Sequence, residues 1–222
     1  MKRLALFDLD HTLLPIDSDY EWGRFLGRIG VVDADDFQTR NRQYAEQYQA
    51  GTLDVLEFLA FSLELIANRP ATEIASWRRQ YMDEVIAPSI MPQARSLVDS
   101  HLQNGDLCAL VTATNTFVTA PIAAAFGIEH LIGSEAEQVD GVYTGRPQGT
   151  PSFREGKVTR TEQWLATLDK AWDDFGEIWF YSDSSNDIPL LEHATHPVAT
   201  NPDPGLLALA AKRHWPVLQL FA

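Results

Sequence analysis

Carboxylate side chains stand directly after two apolar runs that lie far apart in this 222-residue chain. Asp8 and Asp10 follow the run LALF, and Asp183 and Asp187 follow the run IWFYS. A carboxylate at the end of a buried strand is costly unless a cation or hydrogen-bond donors compensate its charge. Oxygen ligands of this kind suit a hard cation such as Mg2+, which keeps several waters and bridges to a phosphate. The two clusters therefore predict carboxylate chemistry around a metal ion and a phosphate group.

Hydroxyl and ammonium groups complete this set. Thr112 and Thr114 follow the run LCALV, and Lys157 stands in SFREGKVTR at the predicted start of a helix. A lysine and a threonine hydroxyl, with local backbone N–H groups, can hold phosphate oxygens. The net charge of −14 repels a phosphate ester, so a phosphate site in this chain needs its own local positive charge.

The elements that must position these groups form an alternation of strands and helices. Continuous apolar runs predict strands that are buried on both faces, as in a parallel sheet. Amphipathic helices lie between them and end at glycines. The predicted strands are residues 4–7, 107–112, 178–182, 196–200 and 215–221. This alternation predicts an α/β fold with a doubly wound, mainly parallel Rossmann-like sheet, which brings the polar clusters to one edge.

One region carries helical patterns only. From residue 16 to residue 87 no strand-like run is present, and helical patterns end at Gly30 and Gly51. The sequence therefore predicts a core domain of residues 1–15 and 88–222, with a helical cap domain of residues 16–87 inserted after the first strand. A cap in this position overhangs the carboxyl ends of the strands, where open α/β sheets bind ligands.

Composition and charge argue against several classes of function. The acidic chain has no clustered basic face, so nucleic acid is not an expected partner. The most apolar helical pattern carries Asp54, Glu57 and Glu64, so no membrane span is expected. Cys108 is the only cysteine, which excludes an internal disulfide and a cysteine metal cluster. We expect a soluble, cytoplasmic protein that acts on a small molecule, and the oligomeric state stays open.

Four short motifs, taken in order, resemble those of the haloacid dehalogenase superfamily of phosphohydrolases. The first stands as DLDHT at 8–12, the second is Thr112, the third is Lys157, and the fourth is the pair Asp183 and Asp187. The long helical insert between the first and second motifs resembles the branch that contains phosphoserine phosphatase. One departure is the Tyr-Ser pair before Asp183, where such enzymes usually have glycine, and we expect it to alter local packing.

The resemblance implies a Mg2+-dependent phosphomonoesterase with an aspartyl-phosphate intermediate. Asp8 would attack phosphorus, and Asp10 would protonate the leaving oxygen and later deprotonate the hydrolytic water. The carboxylates of Asp8 and Asp183, with the backbone carbonyl of Asp10, would bind Mg2+. Asp187 would orient the metal waters or Lys157.

The resemblance also implies contacts to the phosphate or the substrate from Thr112, Ala113, Lys157 and Asn186. Two other classes of function stay open. One is a binding protein of the same fold without turnover, and the other is a phosphotransferase that passes the phosphoryl group to an alcohol. The intact carboxylates and the lysine favour catalysis, because a mere binder of an anion gains nothing from four adjacent acids.

The substrate is indicated by a missing arginine. Asp17 stands where phosphoserine enzymes of this branch carry the acid that binds the substrate amino group. Their insert also carries an arginine for the substrate carboxylate, whereas residues 52–68 contain no basic residue. This segment instead holds Asp54, Glu57 and Glu64, which face either the site or solvent. An ester with an amine but no carboxylate, such as histidinol phosphate, is therefore the first expectation, and phosphoserine is the alternative.

Other polar side chains are expected to be structural. Arg78 and Arg79 are predicted to form a solvated helix face, and Cys108 is predicted to be an inert buried thiol. His193 and His196 are predicted to end a helix and begin a strand, because a metal site would need further ligands.

Overall fold

A seven-stranded sheet forms the centre of the protein. In the computed structural model, which describes residues 2–221, the strands are β1 Arg3–Phe7, β2 Leu107–Asn115, β3 His130–Val139, β4 Val142–Gln148, β5 Glu177–Ser182, β6 His196–Thr200 and β7 Val217–Leu218. They are ordered β4-β3-β2-β1-β5-β6-β7, and only the β3–β4 pair is antiparallel. The predicted α/β fold with a mainly parallel sheet is confirmed.

Helices surround this sheet. They are α1 Ser18–Arg28, α2 Ala34–Ala50, α3 Val55–Glu64, α4 Ala71–Tyr81, α5 Ala87–Ser89, α6 Pro92–Gln103, α7 Thr116–Ala125, α8 Glu155–Thr167, α9 Ile188–Leu191 and α10 Pro204–Arg213. A π-helical turn at Met82–Ile86 joins α4 to α5, and 3-10 turns lie at Trp172–Asp174 and Ser185–Asp187. Within residues 2–221 no helix has the length and apolar character that crossing a membrane requires.

The position of β1 explains where the polar clusters meet. β1 lies between β2 and β5, with Phe7 beside Leu110 on one side and Tyr181 on the other. The side chains of β1 from Leu4 to Phe7 are fully buried. Because the three strands are parallel, the residues that follow them lie along one edge of the sheet.

Residues 16–87, which we call the helical insert, contain helices and no strand, as the sequence predicts. Asp17, Asp33 and Asp54 each accept hydrogen bonds from backbone N–H groups at the start of α1, α2 and α3. These short acidic side chains satisfy donors that have no partner within the helix, which explains where the helices begin. Gly51 ends α2 with φ of 71°, a left-handed conformation that favours glycine. That the insert is a separate cap domain stays a prediction.

Two strand predictions differ from the structure. The β3–β4 hairpin was not predicted, because its outer part exposes Val139 and Val142 and gives no continuous apolar run. The strand predicted at 215–221 is confined to β7, because the N–H groups of Leu220 and Phe221 donate to the side-chain Oδ1 of Asn201. β4 and β7 are the two edge strands of the sheet.

Candidate active site

The ammonium group of Lys157 lies between two carboxylates. Its Nζ donates to Asp8 Oδ1 at 2.8 Å and to Asp187 Oδ2 at 2.7 Å. Lys157 stands in the first turn of α8 and is 3% exposed. Burial by itself lowers the pKa of Lys157, but the charges of Asp187 and Asp8 outweigh burial and raise that pKa. The lysine therefore carries a positive charge at neutral pH, directly beside Asp8.

Thr12 connects the ends of β1 and β5. Its Oγ1 lies 3.1 Å from Asp8 Oδ2 and 3.2 Å from Asp183 Oδ1, and it accepts a hydrogen bond from the backbone N–H of Asp183. The backbone N–H of Asp8 donates to the carbonyl of Tyr181 at 2.9 Å. Residues 171 positions apart in the chain are thus held in direct contact.

Asp10 is held by donors from two different parts of the chain. The backbone N–H of Ser18 donates to its Oδ1 at 2.7 Å, and Thr114 Oγ1 donates to its Oδ2 at 2.9 Å. Burial, and then the negative charge of Asp17, raise the pKa of Asp10. A raised pKa brings a carboxyl group closer to the range in which it can both give and take a proton.

Tyr181 and Ser182, the pair before Asp183, both form side-chain hydrogen bonds. Ser182 Oγ donates to Asp187 Oδ2 at 2.7 Å, so Asp187 receives this hydroxyl as well as the lysine. The Tyr181 hydroxyl lies 2.8 Å from His101 Nε2, and His101 Nδ1 lies 2.7 Å from Asp106 Oδ2. Both side chains of the pair that departs from the family pattern are therefore held by hydrogen bonds.

The end of β2 is irregular where phosphate contacts are predicted. Pairing between β2 and β3 shifts between Val111 and Asn115, which leaves residues 112–114 out of the regular ladder. Such irregularities can leave backbone N–H groups available and are common beside active sites. Thr112 is buried and its Oγ1 accepts from the N–H of Thr114, while the carbonyl of Ala113 accepts from Ser134.

The helical insert reaches the loop that follows β5. Tyr48 at the end of α2 lies with its hydroxyl 2.8 Å from Ser184 Oγ. Arg154 Nε donates to Asn186 Oδ1 at 2.9 Å, and its Nη2 lies 3.5 Å from the carbonyl of Gly51. Asn186 therefore stands at the contact between the insert and the strand ends.

The carboxylates at this edge exceed the positive charge that contacts them. In residues 2–221, Lys157 is the one basic side chain that pairs with Asp8 or Asp187. Burial, with the charges of Asp8 and Asp187, raises the pKa of Asp183, so ionising it without a further cation is costly. The described residues hold no ready-made group of three His, Cys, Asp or Glu side chains for a metal. Two carboxylates within 3.2 Å of Thr12 Oγ1 nevertheless fit a cation of the Mg2+ type, which completes its shell with water.

Asp19, two residues after the predicted site residue Asp17, was not predicted from the sequence. Asp17 caps α1, and Asp19 in the same helix is 8% exposed and accepts hydrogen bonds from Ser62 and Asn115. Burial, and then the charge of Asp17, raise the pKa of Asp19 to about 7. The sequence position of Asp19 could have indicated its burial. It lies two residues after the helix-capping Asp17, in the first turn of a helix with an apolar face.

The acids of α3 face solvent. Asp54 caps α3, Glu57 is exposed, and Glu64 pairs with Arg40 at 2.9 Å. Of the two alternatives left open by the sequence, the structure supports the solvent-facing one. The negative groups close to Asp10 are instead Asp17 and Asp19.

The prediction of a solvated helix face at Arg78 was wrong. Arg78 is partly buried, and its Nη1 donates to the carbonyl of Phe117 at 2.7 Å, because α4 turns this side chain towards α7. Arg79 is exposed as predicted. His193 follows α9 and His196 begins β6, as predicted. Cys108 is buried in β2, and burial raises the pKa of its thiol to about 12.

Comparison with known proteins agrees with this fold and these motifs. Residues 5–192 match the haloacid dehalogenase-like hydrolase family. A histidinol-phosphatase of Neisseria meningitidis is 44% identical over 219 residues, covering 98% of this chain and 99% of the relative. The phosphoserine phosphatase SerB1 of Mycobacterium tuberculosis is 32% identical, covering 96% of this chain and 69% of the relative. The chain therefore belongs to the haloacid dehalogenase-like hydrolases and is a phosphatase of that family.

Solved structures support the same architecture. A protein from Bordetella pertussis Tohama I is 55% identical, covers 100% of both chains and has a TM-score of 0.95. A substrate-bound phosphoserine phosphatase is 18% identical, with a TM-score of 0.67 over 98% of this chain and 93% of that chain. At this identity the second likeness concerns the fold alone.

Proposed function

We propose that this phosphatase hydrolyses histidinol phosphate through a phosphorylated Asp8. The observation that carries the proposal is the negative charge beside Asp10. The carboxyl groups of Asp17 and Asp19 lie close to Asp10, and no basic side chain in residues 2–221 forms an ion pair with either. This negative charge favours binding of a substrate that carries an amine and disfavours binding of one that carries a carboxylate. The relative named histidinol-phosphatase, 44% identical over nearly the full length, supports the same choice.

Of the seven arginines in the helical insert, five have partners within the described residues, and Arg42 and Arg79 are exposed. Arg24 pairs with Glu21, Arg28 with Glu84 and Arg40 with Glu64, while Arg69 stacks on Trp77 and Arg78 binds the carbonyl of Phe117. A bidentate arginine is the usual protein partner of a ligand carboxylate. The helical insert therefore offers no such arginine beside Asp10, and on this ground phosphoserine, which carries a carboxylate, is the weaker candidate substrate.

The first step of the proposed reaction uses Asp8 and Lys157. An oxygen of Asp8 attacks phosphorus, a bond from that oxygen to phosphorus forms, and the bond from phosphorus to the alcohol oxygen breaks. Attack by a carboxylate on a phosphate is opposed by like charge. The ammonium of Lys157, 2.8 Å from Asp8, offsets part of that repulsion.

The proton transfers are assigned to Asp10. Asp10 gives its proton to the departing alcohol oxygen, so the first product is a neutral hydroxyl group. It then takes a proton from the water that attacks phosphorus, and the bond from phosphorus to Asp8 breaks to release phosphate. The hydrogen bonds from Ser18 and Thr114 orient its carboxyl group for both transfers.

A divalent cation of the Mg2+ type fits beside these residues. Asp8 and Asp183 would hold it, with the backbone carbonyl of Asp10, and Asp187 would orient Lys157. When bound, the cation would neutralise negative charge on the phosphate oxygens. Thr112, Ala113 and Asn186 are proposed to contact the phosphate or the substrate, and the cytoplasm stays the predicted location of the enzyme.

A panel of metabolite phosphates tests the proposed function. We expect the purified protein with Mg2+ to release phosphate from histidinol phosphate faster than from any other member of the panel. Chelation of the metal is expected to abolish release, and added Mg2+ to restore it. Asp8→Asn is expected to lower release at least about a thousandfold, because an amide cannot form the acyl phosphate.

The control is the folded state of the variant, measured by circular dichroism and thermal unfolding. A folded Asp8→Asn protein that retains a tenth of the wild-type rate would contradict the role of Asp8. Release that continues at full rate in chelator would contradict the metal requirement. A panel in which histidinol phosphate is a poor substrate would contradict the substrate assignment alone.

A further inference from the structure

A buried polar cluster joins the helical insert to the end of β2. Asp19 of α1 accepts two hydrogen bonds through one oxygen, Oδ1. The donors are Ser62 Oγ of α3 at 2.7 Å and Asn115 Nδ2 at 3.1 Å. Ser62 and Asn115 are each 2% exposed, and both are uncharged. Oδ2 of Asp19 accepts no side-chain hydrogen bond within the described part of the chain.

The charge of Asp19 is left without compensation by the protein. Across residues 2–221, no lysine, arginine or histidine forms an ion pair with this carboxylate. A buried carboxylate that meets only neutral donors retains much of its desolvation cost. A cation supplied by a ligand would remove that cost.

A second polar group beside Asp19 also lacks a partner. Ser18 is fully buried, and its hydroxyl makes no hydrogen bond with the residues that the structure describes. Its backbone N–H donates to Asp10 Oδ1, so Ser18 stands directly beside the proposed acid–base residue. Buried hydroxyl groups are nearly always hydrogen-bonded. Hydrogen-bonding capacity that the described residues leave unused therefore lies beside Asp10, the residue proposed to protonate the leaving group.

Asp17 has less need of a ligand cation than Asp19. Its Oδ1 accepts from the backbone N–H groups of Asp19 at 3.0 Å and Tyr20 at 2.9 Å. These donors belong to the first turn of α1, whose positive end stabilises a negative charge. Asp17 is also partly exposed to solvent.

We propose that Asp19 determines specificity by accepting a hydrogen bond, through Oδ2, from a cationic nitrogen of the leaving alcohol. The substrate class is then the phosphate monoesters of amino alcohols. Asn115 directly follows residues 112–114, so the carboxylate is fixed relative to the segment proposed to contact phosphate. The inference rests on the proposed function, because it assigns the cation-binding role within that site.

A pair of isosteric esters tests this role. In 2-aminoethyl phosphate a cationic nitrogen stands where propyl phosphate has a methyl group, and neither ester contains an imidazole or a carboxylate. We expect wild-type protein with Mg2+ to have the higher kcat/KM for 2-aminoethyl phosphate. In Asp19→Asn the ratio of the two kcat/KM values is expected to fall about tenfold or more, because a hydrogen bond to a charged group is lost.

Two matched variants remove one negative charge elsewhere in the insert. Asp17→Asn keeps a good helix cap and is expected to change the ratio less than Asp19→Asn. Glu57→Gln lies on the exposed side of α3 and is expected to leave the ratio unchanged. Asp19→Glu, which keeps the charge, is expected to retain more of the preference than Asp19→Asn and serves if the amide variant folds poorly.

The outcomes separate this inference from the substrate assignment. A ratio in Asp19→Asn close to that of wild type, or a larger loss in Asp17→Asn, would overturn the role of Asp19. A wild-type protein without preference for the amino ester would overturn it as well. Poor hydrolysis of histidinol phosphate together with a collapsed ratio in Asp19→Asn would leave the role of Asp19 standing and reject histidinol phosphate.

Discussion

Two buried carboxylates near the site differ in how their charge is compensated. Asp187 accepts from the ammonium of Lys157 and from Ser182 Oγ. Among the described residues, the side-chain donors to Asp19 are the uncharged Ser62 and Asn115. Burial raises the pKa of both side chains, and for Asp187 the lysine acts in the opposite direction. At the scale of single residues, Lys157 therefore allows Asp187 to be charged, whereas the cation that would stabilise a charged Asp19 is proposed to come from the substrate.

The pH dependence of stability follows from the pKa of Asp19. The unfolded chain loses this proton near pH 4, whereas the folded protein keeps it up to about pH 7. Between these values the unfolded state binds fewer protons, so Asp19 makes the free energy of unfolding fall as pH rises. The free energy of unfolding of Asp19→Asn minus that of wild type is expected to rise between pH 4 and pH 8. The expected rise is on the order of a few kcal/mol, in favour of the variant at pH 8.

Urea unfolding of both proteins at the two pH values measures this difference in the absence of ligand. Glu57→Gln is the control, because an exposed side chain has no comparable burial to lose. A stability difference between Asp19→Asn and wild type that stays constant from pH 4 to pH 8 would show that Asp19 is not held in an unfavourable charged state.

At the scale of elements, the start of α8 fixes the position of Lys157. Gly156 in the first turn of α8 passes so close to Pro151 that a Cβ at this position would overlap the Pro151 carbonyl oxygen. The loop before the helix cannot move away easily, since Ser152 is fully buried and its N–H donates to Ser134 Oγ. The glycine is therefore required by close packing next to the catalytic edge.

Gly156→Ala is expected to displace the first turn of α8 and with it the ammonium group of Lys157. We expect kcat/KM to fall at least about tenfold, because small displacements of a reacting or positioning group are costly. The free energy of unfolding is expected to fall by about 1–3 kcal/mol through overpacking. Glu155→Ala, at the exposed position before it, is the matched control. Wild-type kinetics and stability in Gly156→Ala would contradict the role of this contact.

The sequence predicts those site residues whose position depends on strand order alone. Asp8, Asp10, Asp183 and Asp187 follow apolar strands, and parallel pairing is enough to bring such residues to one edge. Asp19 and Ser62 meet because α1 and α3 both approach Asn115, and no local pattern specifies that meeting. The β3–β4 hairpin was likewise not predicted because no local pattern indicates it: its outer part gives no continuous buried run.

At the scale of the whole molecule, the charges on the surface and the charges in the site differ in how strongly salt screens them. The chain carries a net charge of −14, and the acids of α3 contribute to the solvent-facing part of it. Surface charges are screened by salt, whereas buried charges are screened much less. Lys157 supplies the buried positive charge next to Asp8, and Asp19 supplies a buried carboxyl group at the contact between the insert and β2. Substrate choice is therefore expected to depend on the buried groups.

The most direct measurement is kcat/KM for histidinol phosphate and for phosphoserine, at low and at moderate salt. We expect histidinol phosphate to be preferred by about a hundredfold or more, because a substrate carboxylate would lie unpaired beside buried acids. The preference is expected to change less than about threefold with salt, because the charges that set it are buried. We expect the buried carboxylates to select the substrate by its charge. This expectation would be contradicted by equal kcat/KM values, by a preference for phosphoserine, or by a preference that disappears at moderate salt.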